Sequence, residues 1–321
     1  MNKGVVLVTG ATGFVGSSLT AQLLSKEYIV AASTHKRALL SKKVNQINIG
    51  NISPETDWSS AVNGIDVVIH LAARVHVMND SASDSLTKFH ETNAAGTLNL
   101  AKQAAEAGVK RFIFISSVKV NGEMTMVGEP FKPDDRFIPI DPYALSKYEA
   151  EQGLLNLAEE TGMEVVIIRP PLIYGTGVKA NFLSMMKWIH KGVPLPFGAI
   201  HNQRSLVALD NLVSFIIHCI EHPKAANEVF LISDGEDVST TELLQKVAKA
   251  FDKKSMLIPI PVSVMTLVAK LLGKADVANR LFGSLQVDSS KARYLLGWEP
   301  VVTMDEQLRK AVSEFLSRKN C

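Results

Sequence analysis

Tyr143 and Lys147 stand four residues apart in the run Asp141-Pro142-Tyr143-Ala144-Leu145-Ser146-Lys147. On a helix that spacing puts both side chains on one face. Asp141 suits the cap of such a helix, and Pro142 suits its first position. A free phenol has a pKa of ~10 and is a poor base at neutral pH. An ammonium beside it favours the phenolate, so the pair can take a proton from a hydroxyl while hydride leaves the same carbon. Alone, a Tyr-x-x-x-Lys equally describes a surface tyrosine beside a solvated lysine. Two further motifs favour the chemical reading.

The first is Thr9-Gly10-Ala11-Thr12-Gly13-Phe14-Val15-Gly16, which follows the apolar run Val5-Val6-Leu7-Val8 and precedes Leu19, Leu23 and Leu24 at helical spacing. Strand, glycine turn and helix in this order make a phosphate site, with free amides and the helix dipole at the turn. Gly10 permits the turn, Gly13 lets backbone approach a pyrophosphate, and Gly16 lets the helix close on the sheet. The spacing is G-x-x-G-x-x-G. The second motif is Phe112-Ile113-Phe114-Ile115-Ser116-Ser117, an apolar strand ending in two serines. Ligands of parallel sheets lie at the carboxyl ends of strands, where a serine can hold a reacting oxygen.

The elements that must position these groups alternate along the chain. Strands are expected at Val5–Thr9, Ile29–Ser33, Ile47–Ile49, Val67–Leu71, Phe112–Ser116, Val165–Arg169 and Val229–Ile232. Helices are expected at Phe14–Ser25, Leu86–Ala107, Pro142–Thr161, Phe182–His190, Asp210–Glu221, Thr240–Phe251 and Val262–Leu271. Such alternation means an α/β fold, a doubly wound, Rossmann-like parallel sheet. Beyond Arg169, prolines punctuate irregular stretches. We therefore expect a dinucleotide-binding domain at 1–175, rejoined by about 205–233, and a smaller C-terminal substrate-binding lobe within 176–321.

The second strand bears on cofactor choice. An acid at its end holds the ribose hydroxyls of NAD. Here the strand ends Ala31-Ala32-Ser33-Thr34-His35-Lys36-Arg37, with no acid and three basic side chains. That suits a 2′-phosphate and hence NADP, though a solvated basic turn would read the same.

Taken with Asp66, Asn93-Ala94-Ala95-Gly96-Thr97 and Arg169-Pro170, these motifs resemble the extended short-chain dehydrogenases/reductases over nearly the whole chain. Within them the nucleotide-sugar (UDP-hexose) 4-epimerase and 4-ketoreductase group is the nearest match. The resemblance implies a catalytic trio of Ser117, Tyr143 and Lys147. It implies cofactor contacts from Gly10, Thr12, Gly13, Phe14, Val15 and Gly16, from His35, Lys36 and Arg37, and from Asn51 and Ile52 near the adenine. It adds Leu71, Ala72, Ala73, Asn93, Ser116, Tyr143, Lys147 and Pro170. It implies substrate contacts from Ser117, Lys119, Tyr143, Asn181, Leu195, Phe197, Arg204 and Arg280, with Leu195 and Phe197 about the base and Arg204 on the diphosphate. Epimerases of the group hold NAD and its ketoreductases often use NADPH, so both cofactors are expected to bind, with some preference for NADP. A homodimer paired through Leu86–Ala107 and Pro142–Thr161 is also implied.

The expected activity is oxidation and reduction at carbon 4 of a UDP-sugar, as in a UDP-glucose or UDP-N-acetylglucosamine 4-epimerase. The alternative within the group is an NADPH-dependent reductase of a UDP-4-keto-6-deoxyhexose in surface polysaccharide synthesis. A redox-sensing regulator would bind cofactor without the trio. A 4,6-dehydratase would place acids after the serine, where Val118-Lys119-Val120 has none. A steroid or flavonoid reductase would not need Arg204. Arg74 and His76 fall near the crevice with no assigned role.

Composition agrees. The chain has 321 residues, 46% of them hydrophobic, and 34 Lys plus Arg against 32 Asp plus Glu. This near balance leaves no footprint for nucleic acid. Two cysteines, Cys219 and Cys321, build neither a disulfide framework nor a metal cluster. No signal peptide precedes the first strand and no apolar run reaches the ~20 residues of a membrane span, so a cytoplasmic protein is expected. The apolar stretch Met256–Leu272 could lie on a membrane surface; packing within the lobe is the expectation.

Overall fold

The computed structural model describes residues 3–35, 40–75, 82–273 and 275–318. Lys36, Arg37, His76 and Cys321 lie outside them. The chain runs β1 (Val5–Thr9), α1 (Phe14–Ser25), β2 (Ile29–Thr34), β3 (Asn45–Asn48), α2 (Ser59–Val62), β4 (Val67–His70), α3 (Ala82–Phe89), α4 (Gly96–Glu106), β5 (Arg111–Ile115) and α5 (Pro142–Thr161). It continues through β6 (Glu164–Arg169), β7 (Leu172–Tyr174), α6 (Ala180–His190), β8 (Arg204–Ala208), α7 (Leu209–Glu221), β9 (Glu228–Leu231) and β10 (Asp237–Val238). Last come α8 (Thr240–Ala250), α9 (Val262–Leu271), α10 (Ala275–Phe282), α11 (Ser290–Leu296) and α12 (Met304–Ser317).

Seven strands form one parallel sheet in the order β3-β2-β1-β4-β5-β6-β9. Residues alternate between its faces with the strand period. Val6, Val8, Ile69, Ile113, Val166 and Ile168 pack with α1 and α7 through Leu19, Leu23, Leu212 and Phe215. Leu7, Val68, Phe112, Phe114, Val165 and Ile167 pack with α4 and α5 through Leu100, Ala104, Ala150 and Leu154. Both faces are thus covered, which is why the strand sequences are continuously apolar. The order reverses between β1 and β4, and a ligand crevice opens at such a switch point.

Of the segment 205–233, β9 enters the main sheet. By contrast, β8 pairs with β7 and β10 in a second, three-stranded sheet. Pro170-Pro171 takes the chain out of the main sheet after β6, and β7 then gives β8 a parallel partner. The lobe has its own core of Tyr174, Phe182, Met186, Leu206, Leu244 and Phe315. The loop after β5 is stitched to this lobe: Thr125 and Phe131 bridge Ser284 and Val287.

Two expectations are corrected. The single helix Leu86–Ala107 is α3 and α4 joined by a π-type turn at His90–Ala95. There Gly96 lies so close to Ile52 that a Cβ would stand 2.7 Å from its Cγ2. The stretch Met256–Leu272 packs only in part within the lobe: Leu257 joins the lobe core, while no residue of α9 is fully buried.

Candidate active site

The glycine turn is built as its spacing implies. Gly10 has φ +69°, and a side chain there would strike the Ala72 backbone nitrogen at 2.9 Å. At Gly16 a Cβ would sit 2.1 Å from the Gly10 carbonyl, so only glycine lets α1 begin here. Gly13 caps α1 and donates its N–H to the Gly10 carbonyl. Thr12 and Gly13 are exposed, Phe14 and Val15 half-buried. Exposed backbone at a helix start with no acid in the first turn fits a pyrophosphate.

A buried network fixes the opposite wall. The Thr9 hydroxyl accepts from the backbone N–H groups of Leu71 and Ala72 at 3.2 and 3.1 Å. Its own proton can then go only to His70 Nδ1, 2.7 Å away. His70 therefore carries its proton on Nε2 and donates to Thr97 at 3.0 Å. Burial, helped by the Lys147 charge, holds His70 down to about 3. This neutral histidine ties the ends of β1 and β4 to α4. The residues Leu71-Ala72-Ala73 are half-buried beside the glycine turn.

Asn93 was expected to touch the cofactor. It is fully buried, accepts from the Arg74 N–H, and donates to the Arg74 carbonyl and the Ser146 hydroxyl. Both amide protons are thereby used. Ser146 in turn donates to the Tyr143 carbonyl at 2.8 Å. Asn93 thus anchors the start of α5 to the loop after β4. The π-type turn is what brings it inward.

Helix α5 starts as read: Asp141 accepts from the Ala144 N–H at 2.9 Å, and Pro142 follows. The Ser117 hydroxyl is close enough to the Tyr143 phenol to oppose the rise in its pKa. The Lys147 ammonium donates to the Ile115 carbonyl at 2.9 Å and lies 4.4 Å from the Phe114 ring centre. Burial pushes Tyr143 up to about 12, with the Asp141 carboxylate adding to the rise and Ser117 opposing it. Burial also brings Lys147 down to about 7, opposed by Glu151. Burial thus works against the charged form of both side chains. In so apolar a setting an ammonium favours a phenolate beside it.

Ser116 is buried at the carboxyl end of β5, and its hydroxyl has no partner among the described residues. That orphaned group fits a ligand in the crevice. Pro170 is buried, its carbonyl accepting from Val118 N–H. Asn51 is exposed and Ile52 half-buried next to α4. His35 is exposed at the end of β2; its neighbours Lys36 and Arg37 lie outside the described residues. Lys119 pairs with Asp141 at 3.4 Å, so it sits beside the tyrosine helix.

The remaining substrate candidates lie in the lobe. Arg204 donates to the carbonyls of Arg280 and Gly283 at 2.8 and 3.0 Å, which brings the two arginines together. No carboxylate among the described residues pairs with either one. Arg204 bridges Leu285, which packs with Val118 beside Ser117. Asn181 is exposed near the start of α6. Leu195 is buried in the lobe core, which removes it from the exposed surface; Phe197 is half-buried. Glu151 was missed by sequence reading, although it continues the row 143, 147, 151 at four-residue steps. Among the described residues no group of histidine, cysteine and carboxylate side chains could hold a metal ion. No helix among them is long and apolar enough to cross a membrane.

Similarity to known proteins follows the same lines. The UDP-glucose 4-epimerase of Vibrio cholerae is 50% identical, over 98% of this chain and 96% of its own. The N-acetyl-alpha-D-glucosaminyl-diphospho-ditrans,octacis-undecaprenol 4-epimerase of Escherichia coli O157:H7 is 29% identical over 99% and 97%. The solved UDP-glucose 4-epimerase of Thermotoga maritima shares the fold with a TM-score of 0.73, 24% identity and coverage of 98% and 99%. Residues 6–233, which span the glycine turn, Ser117, Tyr143 and Lys147, match a single family. The chain belongs to the NAD dependent epimerase/dehydratase family.

Proposed function

We propose that this protein inverts carbon 4 of a UDP-hexose, acting on UDP-glucose, UDP-N-acetylglucosamine or a close relative. The observation that carries the reading is the 50% identity to a UDP-glucose 4-epimerase along nearly the full length of both chains. The bound nicotinamide would supply reversible hydride exchange with carbon 4. The glycine turn and the orphaned Ser116 hydroxyl support a site for it. Tyr143 takes the proton from the sugar hydroxyl and later returns it. Ser117 holds the same oxygen, and Lys147 stabilises the phenolate. Arg204 and Arg280 hold the diphosphate, whose charge requires a cation. Phe197 flanks the base, and Lys119 stands near the sugar.

The basic turn His35-Lys36-Arg37 supports binding of both NAD and NADP, with some preference for the latter. A tighter NAD complex by about a hundredfold would remove that preference. Residues 1–175 act as the dinucleotide domain and 176–321 mainly as the substrate lobe, and two chains pair through α4 and α5.

The deciding experiment supplies UDP-glucose, UDP-N-acetylglucosamine and a UDP-4-keto-6-deoxyhexose separately, and follows product and cofactor absorbance together. Turnover of the first two without net cofactor change is expected. Stoichiometric loss of reduced cofactor, confined to the keto-sugar, would make the protein a reductase instead.

A further inference from the structure

Helix α9 is apolar on both of its faces. Its half-buried residues, Val262, Met265, Thr266 and Ala269, recur at the spacing of one helix face. The other face carries Val264, Leu267, Val268 and Leu271 at the same spacing, exposed by 50, 60, 49 and 79%. A helix on a water-facing lobe ordinarily keeps its outer face polar.

The apolar surface continues beyond the helix. Leu195 pairs with Leu257, so residues 193–198 run beside 256–258. Val193, Met256 and Ile258 are exposed there, and so is Trp188 on the adjoining end of α6. The Lys253 ammonium reaches the His190 carbonyl, which closes the two segments together.

Charge on these segments is one-sided. The chain as a whole is nearly balanced. Yet residues 171–203 hold Lys179, Lys187 and Lys191 and no carboxylate, and residues 253–274 hold Lys253, Lys254, Lys270 and Lys274 and no carboxylate. An aliphatic stripe on segments whose charged residues are all lysines, with an exposed tryptophan, complements one kind of partner. The stripe enters the boundary between headgroups and acyl chains, and the lysines meet lipid phosphates. A second copy of the same face would set cations against cations. Nucleic acid would leave the aliphatic stripe without a partner.

We infer that α9, with the adjoining end of α6 and residues 253–258, docks on the surface of an anionic lipid bilayer. The substrate lobe would then work at the membrane while the parallel sheet stays in water.

The test uses the full chain and pelleted vesicles. With equal parts phosphatidylglycerol and phosphatidylethanolamine, the wild type should bind about tenfold more strongly than with phosphatidylcholine alone. Leu267→Glu with Leu271→Glu should abolish that binding while leaving turnover of soluble UDP-sugar and the thermal melt unchanged. Lys254→Gln with Lys270→Gln should weaken it and flatten its salt dependence. Failure of the wild type to pellet with anionic vesicles would overturn the inference, as would glutamate variants that pellet like wild type. Light scattering covers the remaining occupant: if the glutamate pair splits a dimer and vesicles bind neither protein, the stripe meets a second copy and the bilayer assignment falls.

Discussion

The Glu151 carboxylate meets the Arg169 guanidinium at 2.5 Å in the interior, one helical turn beyond Lys147. Arg169 grips it through Nε and Nη2 together, and its other nitrogen reaches Asn121 and the Pro133 carbonyl. The pair therefore anchors α5 to β6 and to the loop after β5. The Glu151 charge also holds Lys147 above where burial alone would leave it.

Glu151→Gln leaves a buried guanidinium with no charge partner, and should destabilise the fold by about 3–5 kcal/mol. In the folded variant Lys147 loses a favourable charge, so its pKa falls further below 7. Urea unfolding and the pH profile of turnover read the two effects. An unchanged unfolding midpoint would show that the pair does not anchor the helix.

Tyr143→Phe removes the group proposed as acid and base on the reacting oxygen. Turnover should fall about 10²–10⁴-fold while the KM for nucleotide sugar changes little. Ser117→Ala should cost less, because Ser117 holds the oxygen without moving its proton. Equal losses in the two variants would reassign the proton transfer.

Much of this site was legible before the fold was known. The glycine turn, the strand-end serines and the Tyr143–Lys147 spacing are local patterns, and local geometry alone gives them meaning. Helix α5 was readable from end to end because Asp141, Pro142 and Gly162 mark its limits. Helix α12 carried an equally plain signal, Thr303 followed by Glu306 in a reciprocal cap, and was overlooked. The strands β7 and β10 were not readable, since strands of three and two residues gain their identity only by pairing, and β8 begins with Arg204-Ser205 and so lacks the continuously apolar run that marked the strands of the main sheet. The structural part of Asn93 was not readable for a related reason: its side-chain partners Arg74 and Ser146 lie 19 and 53 residues away.

His70 gives the fold a pH dependence of its own. An unfolded histidine titrates near ~6.5, and in the folded protein burial holds His70 down to about 3. Between those values the unfolded chain binds the extra proton, so stability is complete above about 6.5 and declines as pH falls, by ~1.4 kcal/mol per unit for this one group. Carboxylates titrate in the same range, so the slope must be compared with that of His70→Gln. The variant should be less stable at neutral pH, having lost its bonds to Thr9 and Thr97, yet lose less on acidification from pH ~6.5 to ~4. Parallel slopes for the two proteins would mean that His70 is already protonated in the fold.

Arg204 separates binding from chemistry. Its guanidinium is oriented by the Arg280 and Gly283 carbonyls, not by a carboxylate. Burial lowers its pKa only from a high starting value, so it stays charged. A cation with no anionic partner among the described residues is suited to a diphosphate. Arg204→Met keeps the packing stem and removes about 1.5–3 kcal/mol of charge-assisted hydrogen bonding. The KM for nucleotide sugar should rise about 10–100-fold, with turnover at saturation and NAD affinity near wild type. Inhibition by UDP should weaken by the same factor, since the proposed contact is to the diphosphate and not to the hexose. A variant that keeps its UDP affinity but loses turnover would place Arg204 with the reacting sugar instead.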